Sequence, residues 1–375
     1  MRDITFFHCA DIHLDSPFSS LSGKPGLSAA RRRGLLEAFS RLISNARNEK
    51  PDFLLIAGDL FENAYVHINT ISTLNALFGS IPETMVVMIT GNHDIEAANS
   101  YYRTYDWNEN VFFLGQNQRK LHFETLGTTL YGLGWETGQS FTITPTTMNP
   151  DEGAINILLF HGDIDLQIGT RNYNSISSEQ AASMGFDYIA AGHNHRKRIY
   201  HDLIYNPGSL DPLGFDEPGV HGYFKGSVSK TKGISIEFIE NSMIEYVTME
   251  ADISEFDNDA MIIENLIGKL QKDNVLYKIL LVGKKSMKYA PDTIFIENAL
   301  MEHTLFCKVR DESSVTIPVD ELALLRGLKG EFARTVMERM ESAKDDEKEI
   351  LMKALYYGIK AIDDGNIEKA GGIEF

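Results

Sequence analysis

The stretch Phe53-Leu54-Leu55-Ile56-Ala57-Gly58-Asp59-Leu60-Phe61 pairs a short apolar run with a carboxylate placed directly behind it. Phe53 to Ala57 reads as a strand, and Gly58-Asp59 as the turn that ends it. Outward from there the same format recurs. Ile4 to Phe7 precedes Asp11-Ile12-His13, and Met85 to Ile89 precedes Gly91-Asn92-His93-Asp94. Ile155 to Phe160 precedes His161-Gly162-Asp163, and Tyr188 to Ala191 precedes Gly192-His193-Asn194-His195. Helical segments lie between the first three runs, which gives a βαβ rhythm. The first of these segments puts Leu35, Leu36, Phe39, Leu42, Ile43 and Ala46 on one stripe, with Arg41 and Arg47 off it, as packing on a sheet requires. In an α/β sheet the carboxyl ends of parallel strands open onto one crevice, so residues just past each strand converge although they are far apart in sequence.

Together the five blocks supply Asp11, His13, Asp59, Asn92, His161, His193 and His195: two carboxylates, four imidazoles and one amide. Divalent metals of intermediate hardness accept this mixture of nitrogen and oxygen, and the absence of ligand cysteines argues against a structural zinc site. The set is large enough for two ions. A carboxylate between ions about 3.5–4 Å apart relieves their repulsion, and such a pair clamps the attacking and leaving oxygens of a phosphoryl displacement. Asp59, central in the set, is the expected bridge. A single Gly-Asp turn or a lone histidine has an ordinary structural explanation; five such blocks in order, each behind a strand, do not.

The blocks resemble the signature of the calcineurin-like metallophosphoesterases, D-x-H, G-D, G-N-H-[DE], H and G-H-x-H, which is matched in full across roughly residues 1 to 240. Within that superfamily, His8-Cys9-Ala10-Asp11-Ile12-His13-Leu14-Asp15-Ser16-Pro17-Phe18 and Gly58-Asp59-Leu60-Phe61 are similar to the Mre11/SbcD branch of DNA repair nucleases and its YhaO-like bacterial relatives. The resemblance implies an α/β fold, a four-layer α/β/β/α core with a small α/β capping domain and C-terminal helices. It implies that Asp11, His13, Asp59 and His195 surround one divalent ion and that Asp59, Asn92, His161 and His193 surround the other, manganese being the usual activating metal. His93 would face the scissile phosphate, stabilising developing charge or protonating the leaving oxygen, while Asp94 holds its imidazole in the working tautomer. The nucleophile would be water activated by two cations, so no serine or cysteine nucleophile is needed. One position departs from the branch: several members carry a second substrate-facing histidine just after the G-D-L-F block, where this sequence has Glu62.

The implied activity is hydrolysis of DNA phosphodiesters during repair, as a 3′ to 5′ exonuclease and single-strand endonuclease. The implied partners are DNA, a second copy of the chain, and an SMC-like ATPase of the Rad50/SbcC type bound by a C-terminal helical segment. Two other functions fit the same blocks. One is a phosphoesterase acting on small-molecule diesters or monoesters, since fold does not fix function. The other is a scaffolding or regulatory subunit of the ATPase complex, against which the complete ligand set and His93 argue.

Residues 1–243 are expected to form the metallophosphoesterase domain, with strands at Thr128 to Gly132, Ile199 to Tyr205, Gly222 to Val228 and Ile234 to Ile239 contributing to a second half-sheet. From Ile244 the order strand, helix, strand, helix, strand marks a capping domain, 244–316. After Ile317-Pro318 the pattern turns helical, with Leu322, Leu325, Leu328, Phe332, Val336 and Met340 in one stretch and Leu351, Leu355, Ile359 and Ile362 in another. The segment 317–375 is therefore the candidate surface for the ATPase.

The 375 residues include 35 basic and 53 acidic ones, a net charge of −18, and so acidic a surface does not attract polyanions in general. Nucleic-acid binding is expected only at a local patch. Arg196-Lys197-Arg198, beside a ligand block, is the candidate contact to DNA phosphates, whereas Arg31-Arg32-Arg33 reads as a solvated helix face. Asn206-Pro207-Gly208-Ser209 reads as a structural turn. Cys9 and Cys307 are expected to be buried thiols. No apolar run approaches the ~20 residues a bilayer span needs, the opening residues do not read as a secretion signal, and no membrane association and a cytoplasmic location are expected.

Overall fold

The computed structural model describes residues 2–136, 148, 150–165, 174–271, 273–287 and 289–364; the end of the expected C-terminal segment, 365–375, lies outside the described residues. The chain divides into two compact units, Met1–Val247 and Thr248–Phe375.

The first unit begins with β1 (Ile4–Cys9), α1 (Leu27–Glu49), β2 (Phe53–Ala57), α2 (Ile68–Gly79), β3 (Met85–Ile89), α3 (Tyr101–Thr104) and β4 (Val111–Phe113). It continues with β5 (Lys120–Phe123), β6 (Thr128–Leu133), β7 (Ile155–His161), α4 (Ser178–Ala182), β8 (Tyr188–Gly192), β9 (Arg198–Tyr200), β10 (Ile204–Asn206), β11 (Gly222–Ser229) and β12 (Gly233–Glu240). These strands form two six-stranded sheets, ordered β12-β11-β1-β2-β3-β4 and β5-β6-β7-β8-β10-β9. The stretches β1 to β4 and β6-β7-β8-β10 are parallel, and antiparallel strands edge them.

Because side chains alternate along a strand, each central strand serves two layers. Ile4, Phe6, Phe53, Leu55, Val87 and Ile89 of one sheet meet Leu130, Ile155, Ile157, Leu159 and Tyr188 of the other in a single cluster. Fully burying each such side chain stabilises by about 1.5–3 kcal/mol, so this inter-sheet cluster is a large contribution to the unit's stability. On the outer side of the first sheet, α1 buries Leu35, Ala38, Phe39, Leu42, Ile43 and Ala46, and its Asn45 donates to the Tyr223 hydroxyl of β11 at 3.0 Å. Outside the second sheet, Leu158, Phe160, Ile189 and Ala191 pack with Ala181 of α4 and with Met184 and Phe186. The layering is α/β/β/α.

Three local expectations are corrected. Ile199 to Tyr205 is not one strand: His201 and Asp202, both at positive φ, turn the chain so that β9 and β10 pair antiparallel. The strands β11 and β12 join the first sheet, through antiparallel pairing of β11 with β1, because pairing partners are set by long-range packing rather than by order in the chain. Arg31 is not solvated but 3% exposed, donating to the Asp211 carboxylate (2.6 Å) and the Pro212 carbonyl (2.9 Å).

In the second unit, β13 (Glu245–Asp252) leads in from the first and is followed by α5 (Asp259–Ile267), β14 (Val275–Val282), β15 (Lys284–Ser286), α6 (Thr293–Leu300), β16 (Phe306–Asp311) and β17 (Ser314–Thr316). A three-stranded sheet, β13-β14-β16, and a two-stranded one, β15-β17, result. Asn258 and Asp292 cap the two helices, each side chain accepting from first-turn backbone N–H groups. Next come α7 (Val319–Leu324), α8 (Leu328–Ser342) and α9 (Asp345–Asp364), packed around Leu322, Ala333, Val336, Leu355 and Ile359. Leu325 and Leu328, expected on the same stripe, are exposed, since α7 ends at Leu324 and the helical period is broken there. Among the described residues no helix is long and apolar enough to cross a membrane.

Candidate metal centre

Every expected ligand stands at the carboxyl end of a parallel strand. Asp11 and His13 follow β1, Asp59 follows β2, Asn92 follows β3, His161 ends β7, and His193 and His195 follow β8. Past β1 and β2 the loops stay joined: the Ile12 and His13 N–H groups donate to the Asp59 carbonyl (2.8 and 3.0 Å), and Leu14 N–H donates to the Leu60 carbonyl (3.1 Å). Four of the ligand candidates are left-handed, Asp11, His13 and Asp59 at φ 50, 50 and 51° and His193 at 101°. Non-glycine residues hold such conformations at a cost of order 1 kcal/mol or more only where surroundings over-determine them. Here the Asp11 carboxylate accepts the His193 N–H (3.0 Å), and Asp59 Oδ1 accepts the His93 N–H (2.7 Å). Gly58, at φ +89°, has no room for a side chain because a Cβ would run into the His161 ring.

The donor atoms converge. Asp59 Oδ2 lies 3.6 Å from His13 Nε2 and 3.3 Å from His161 Nε2. On one side of it His13 Nε2 is 3.2 Å from His195 Nε2, which is 4.0 Å from Asp11 Oδ1. On the other side Asn92 Oδ1 is 3.2 Å from His161 Nε2 and 2.9 Å from His193 Nδ1. Nitrogen and oxygen ligands about 2.1 Å from a common ion and at right angles lie about 3 Å apart, close to these separations. Asp59 thus stands between an Asp11-His13-His195 group and an Asn92-His161-His193 group.

An imidazole ligates through one nitrogen, and the partner of the other fixes its tautomer. His13 Nδ1–H donates to Glu62 Oε1 (2.8 Å), His195 Nδ1–H to Glu217 Oε1 (2.6 Å) and His161 Nδ1–H to the Ala57 carbonyl (2.8 Å). Each Nε2 lone pair is thereby aimed at the centre. His193 is turned the other way, with Nε2 3.4 Å from Asp163 Oδ1 and Nδ1 facing Asn92. Carboxylates, an amide oxygen and imidazoles with outward N–H groups are a donor set that fits divalent cations. Electrostatics agree: burial pushes the His161 and His195 rings down, but the facing carboxylates of Asp59, and of Glu217 and Asp11, outweigh it and lift both to about 9. The centre draws positive charge. Burial and the neighbouring His161 push His193 down to about 3.

His93 sits at the mouth, 43% exposed, its ring edge-on to His13 with centroids 4.7 Å apart. Its Nδ1 is 3.0 Å from Glu62 Oε2. The expected role of Asp94 is corrected here. Its Oδ2 accepts from Leu60 N–H (2.7 Å) and the Tyr102 hydroxyl (2.5 Å), and its Oδ1 from Gly91 N–H (2.5 Å). With its oxygens so occupied, Asp94 ties the β2 and β3 loops together, and Glu62 is the acceptor on His93. Burial, then the Asp59 charge, lift the Asp94 carboxyl to about 6. Burial also acts to raise Glu62, but its two imidazole donors outweigh it and hold it at about 2; that hydrogen bond raises His93.

The structure adds Glu217, for which no motif gave a signal, and Asp163, which lies within the His161 block. Asn206 and Ser209 do more than turn the chain. The Asn206 amide donates to the Asn194 (2.6 Å) and Arg196 (3.1 Å) carbonyls, and the Ser209 hydroxyl donates to Glu217 Oε2 (2.7 Å), so both brace the loop that carries His193 and His195. Arg196, Lys197 and Arg198 are exposed directly after that loop, Arg196 donating to the Asp216 carbonyl (2.9 Å) and Lys197 lying 4.2 Å over the Phe238 ring.

This chain belongs to the Calcineurin-like phosphoesterase family, which it matches over residues 4–197. It is 28% identical over 291 residues to the Uncharacterized metallophosphoesterase YhaO of Bacillus subtilis, covering 72% of this chain and 69% of that one. It is 27% identical over 274 residues to the DNA double-strand break repair protein Mre11 of Methanopyrus kandleri, covering 66% of this chain and 57% of that one, so it spans little more than half of that relative. The crystal structure of TT1561 of Thermus thermophilus overlays 63% of this chain and 99% of its own, with a TM-score of 0.36 and 12% identity. The protein is accordingly a metal-dependent phosphoester hydrolase of the Mre11/YhaO-like branch.

Proposed function

We propose that the protein is a two-metal phosphodiesterase that cuts DNA during repair, in the manner the Mre11/SbcD resemblance implies. The observation that carries the reading is the place of Asp59 Oδ2, 3.6 and 3.3 Å from imidazole nitrogens of two separate ligand groups. Asp11, His13, Asp59 and His195 hold one divalent ion and Asp59, Asn92, His161 and His193 the other, with manganese as the proposed metal. When bound, such a pair supplies Lewis acidity and lowers the pKa of water enough for attack near neutral pH. The chain's own residues position: His93, at the mouth, meets the phosphate and serves the leaving oxygen, and Glu62 holds its ring.

DNA as substrate is supported by the relative named for double-strand break repair and by the exposed Arg196-Lys197-Arg198 run beside the centre. The proposed partners are a second copy of the chain and an SMC-like ATPase of the Rad50/SbcC type. The helices α7 to α9, where Leu324, Leu328 and Ile350 are 84, 70 and 65% exposed, are the proposed ATPase surface. A cytoplasmic location belongs to the same proposal. The net charge of −18 favours a second reading, a phosphoesterase for small diesters.

The test is hydrolysis with Mn²⁺ of end-labelled duplex DNA, single-stranded DNA and bis(4-nitrophenyl) phosphate, with His93→Ala as the blank. DNA cleavage absent from the variant is expected. Turnover of the small diester alone, even with the ATPase added, would overturn the DNA reading. A folded, metal-loaded protein that cuts none of the three would be a scaffolding subunit.

A further inference from the structure

The parallel pair β15-β17 stands apart from the three-stranded sheet of its unit, and its backbone is fixed where β15 begins. Gly283, at φ +91°, has no room for a side chain because a Cβ would run into Asp252 and Ser254. Ser254 Oγ donates to Asp252 Oδ1 (2.6 Å) and accepts from Lys284 N–H (2.9 Å), and the Gly283 carbonyl accepts from Ser314 N–H (2.9 Å). Met287 packs against the cluster of Leu322, Ala333, Val336, Leu355 and Ile359, which joins the strand pair to α7, α8 and α9. Between the strand pair and these helices lies a cavity of about 920 Å³. Cavities of about 300–1,000 Å³ are the size that holds small organic ligands.

The lining is divided by chemistry. Leu322, Leu325, Ile359 and the Tyr356 ring give it an apolar wall. Four ammonium groups, those of Lys284, Lys285, Lys329 and Lys360, stand around it against the two carboxylates of Glu321 and Asp363. Lys285 is held by Asp311, from outside the lining, and Lys329 by Asp363. Among the described residues Lys284 and Lys360 have no carboxylate partner, and Lys360 lies 5.8 Å from the Tyr356 ring centroid. In a chain of net charge −18 such a local excess of lysine is unlike the molecule as a whole. Like charges gathered on one cavity repel one another, and an anion entering it relieves the repulsion. Lysine serves phosphate as a point charge, and an apolar wall with one aromatic ring takes the flat, weakly polar part of a ligand. We propose that the cavity is a nucleotide site, in which Lys284 and Lys360 meet the phosphate groups and the wall of Leu322, Leu325, Ile359 and Tyr356 takes the base. The site lies wholly in the second unit and uses no residue of the metal centre.

The experiment titrates the full chain, stripped of metal with EDTA, into N-methylanthraniloyl-ADP and reads the fluorescence anisotropy of the probe. Wild type, Asp59→Ala and Lys284→Ala/Lys360→Ala are compared, with thermal unfolding as the check that all three fold. If the alanine pair does not fold, Lys284→Gln/Lys360→Gln, which keeps most of each stem, takes its place. Saturable binding is expected for wild type and Asp59→Ala alike. The lysine variant is expected to bind about tenfold or more weakly, since bonds to charged groups are the strong ones. Unlabelled ADP is expected to displace the probe, with adenosine and pyrophosphate each about tenfold poorer or worse because each offers only part of the ligand. No saturable binding by about 1 mM protein, or equal binding by the lysine variant, would overturn the site. Loss of binding in Asp59→Ala would overturn it as well, by placing the probe at the metal centre. Pyrophosphate as effective as ADP would overturn the base contact and with it the nucleotide class. Because the metal centre is emptied, none of these outcomes depends on the phosphodiesterase reading, which the hydrolysis assay decides separately.

Discussion

Asp59 is one residue with three duties: it ends β2 at a left-handed φ, accepts the His93 N–H on one oxygen, and sets the other between His13 and His161. Asp59→Ala is therefore expected to lose bound metal along with turnover. His93→Ala is expected to retain metal and lose on the order of 10²-fold or more in kcat, as removal of a proton-transfer group does. Elemental analysis beside turnover checks both, and a fully active His93→Ala would refute the assignment. His8 carries a different residue-scale prediction. It is fully buried, with Nδ1 accepting from the Tyr188 hydroxyl (2.9 Å) and Nε2–H donating to the Ala191 carbonyl (3.1 Å), and burial pushes it from 6.5 down to about 3. The unfolded chain then binds a proton that the folded chain refuses. The stabilisation is complete above pH 6.5 and falls by about 1.4 kcal/mol per pH unit as pH drops toward 3. Urea unfolding between pH 6 and 4 is expected to show a slope shallower by about one proton, about 1.4 kcal/mol per pH unit, in His8→Phe than in the wild type.

At the scale of elements, the runs Phe53 to Ala57 and Met85 to Ile89 became strands with the expected bounds, because a continuous apolar run followed by Gly or a polar residue is a local signal. The helix α1 shows what a local signal omits. Its stripe was legible, but the charge of Arg31 concealed that this side chain faces inward onto Asp211, a residue far away in the chain. Removing one partner of a buried ion pair strands the other charge, so Arg31→Ala is expected to destabilise by about 3–5 kcal/mol, with Arg31→Met similarly affected. Thermal unfolding measures it. A loss below about 1 kcal/mol in both would mean that the pair does not hold α1 in place.

For the whole molecule the proposed DNA substrate poses the question of how a chain of net charge −18 would meet a polyanion. The proposed answer is local: the exposed Arg196-Lys197-Arg198 run, beside a centre whose cations reverse the sign of its carboxylates. Duplex binding is then expected to weaken with salt with a shallow slope, and Arg198→Ala to reduce the slope of log K against log[salt] by about 0.9 while weakening all sequences alike. Fluorescence titration at several salt concentrations would show it, and an unchanged slope would remove this arginine from the interface.

The candidate ligands were legible in the sequence because position after a strand is a local property, and five strands ending in such residues imply one crevice by the geometry of parallel sheets. The convergence of Asp11, His13, Asp59, Asn92, His161, His193 and His195 follows from that, and it is the family signature that singles them out from His93, Asp94 and Asp163 in the same blocks. Tertiary structure decided what each ring's second nitrogen holds. Glu62 and Glu217 reach His13, His93 and His195 from other loops, and Asp94, adjacent to His93 in the chain, is turned away onto Leu60, Gly91 and Tyr102. It also decided that β11 and β12 extend the first sheet instead of the second. Hydrogen-bond partners and sheet membership depend on which distant segments share a register, and no window of sequence contains that register.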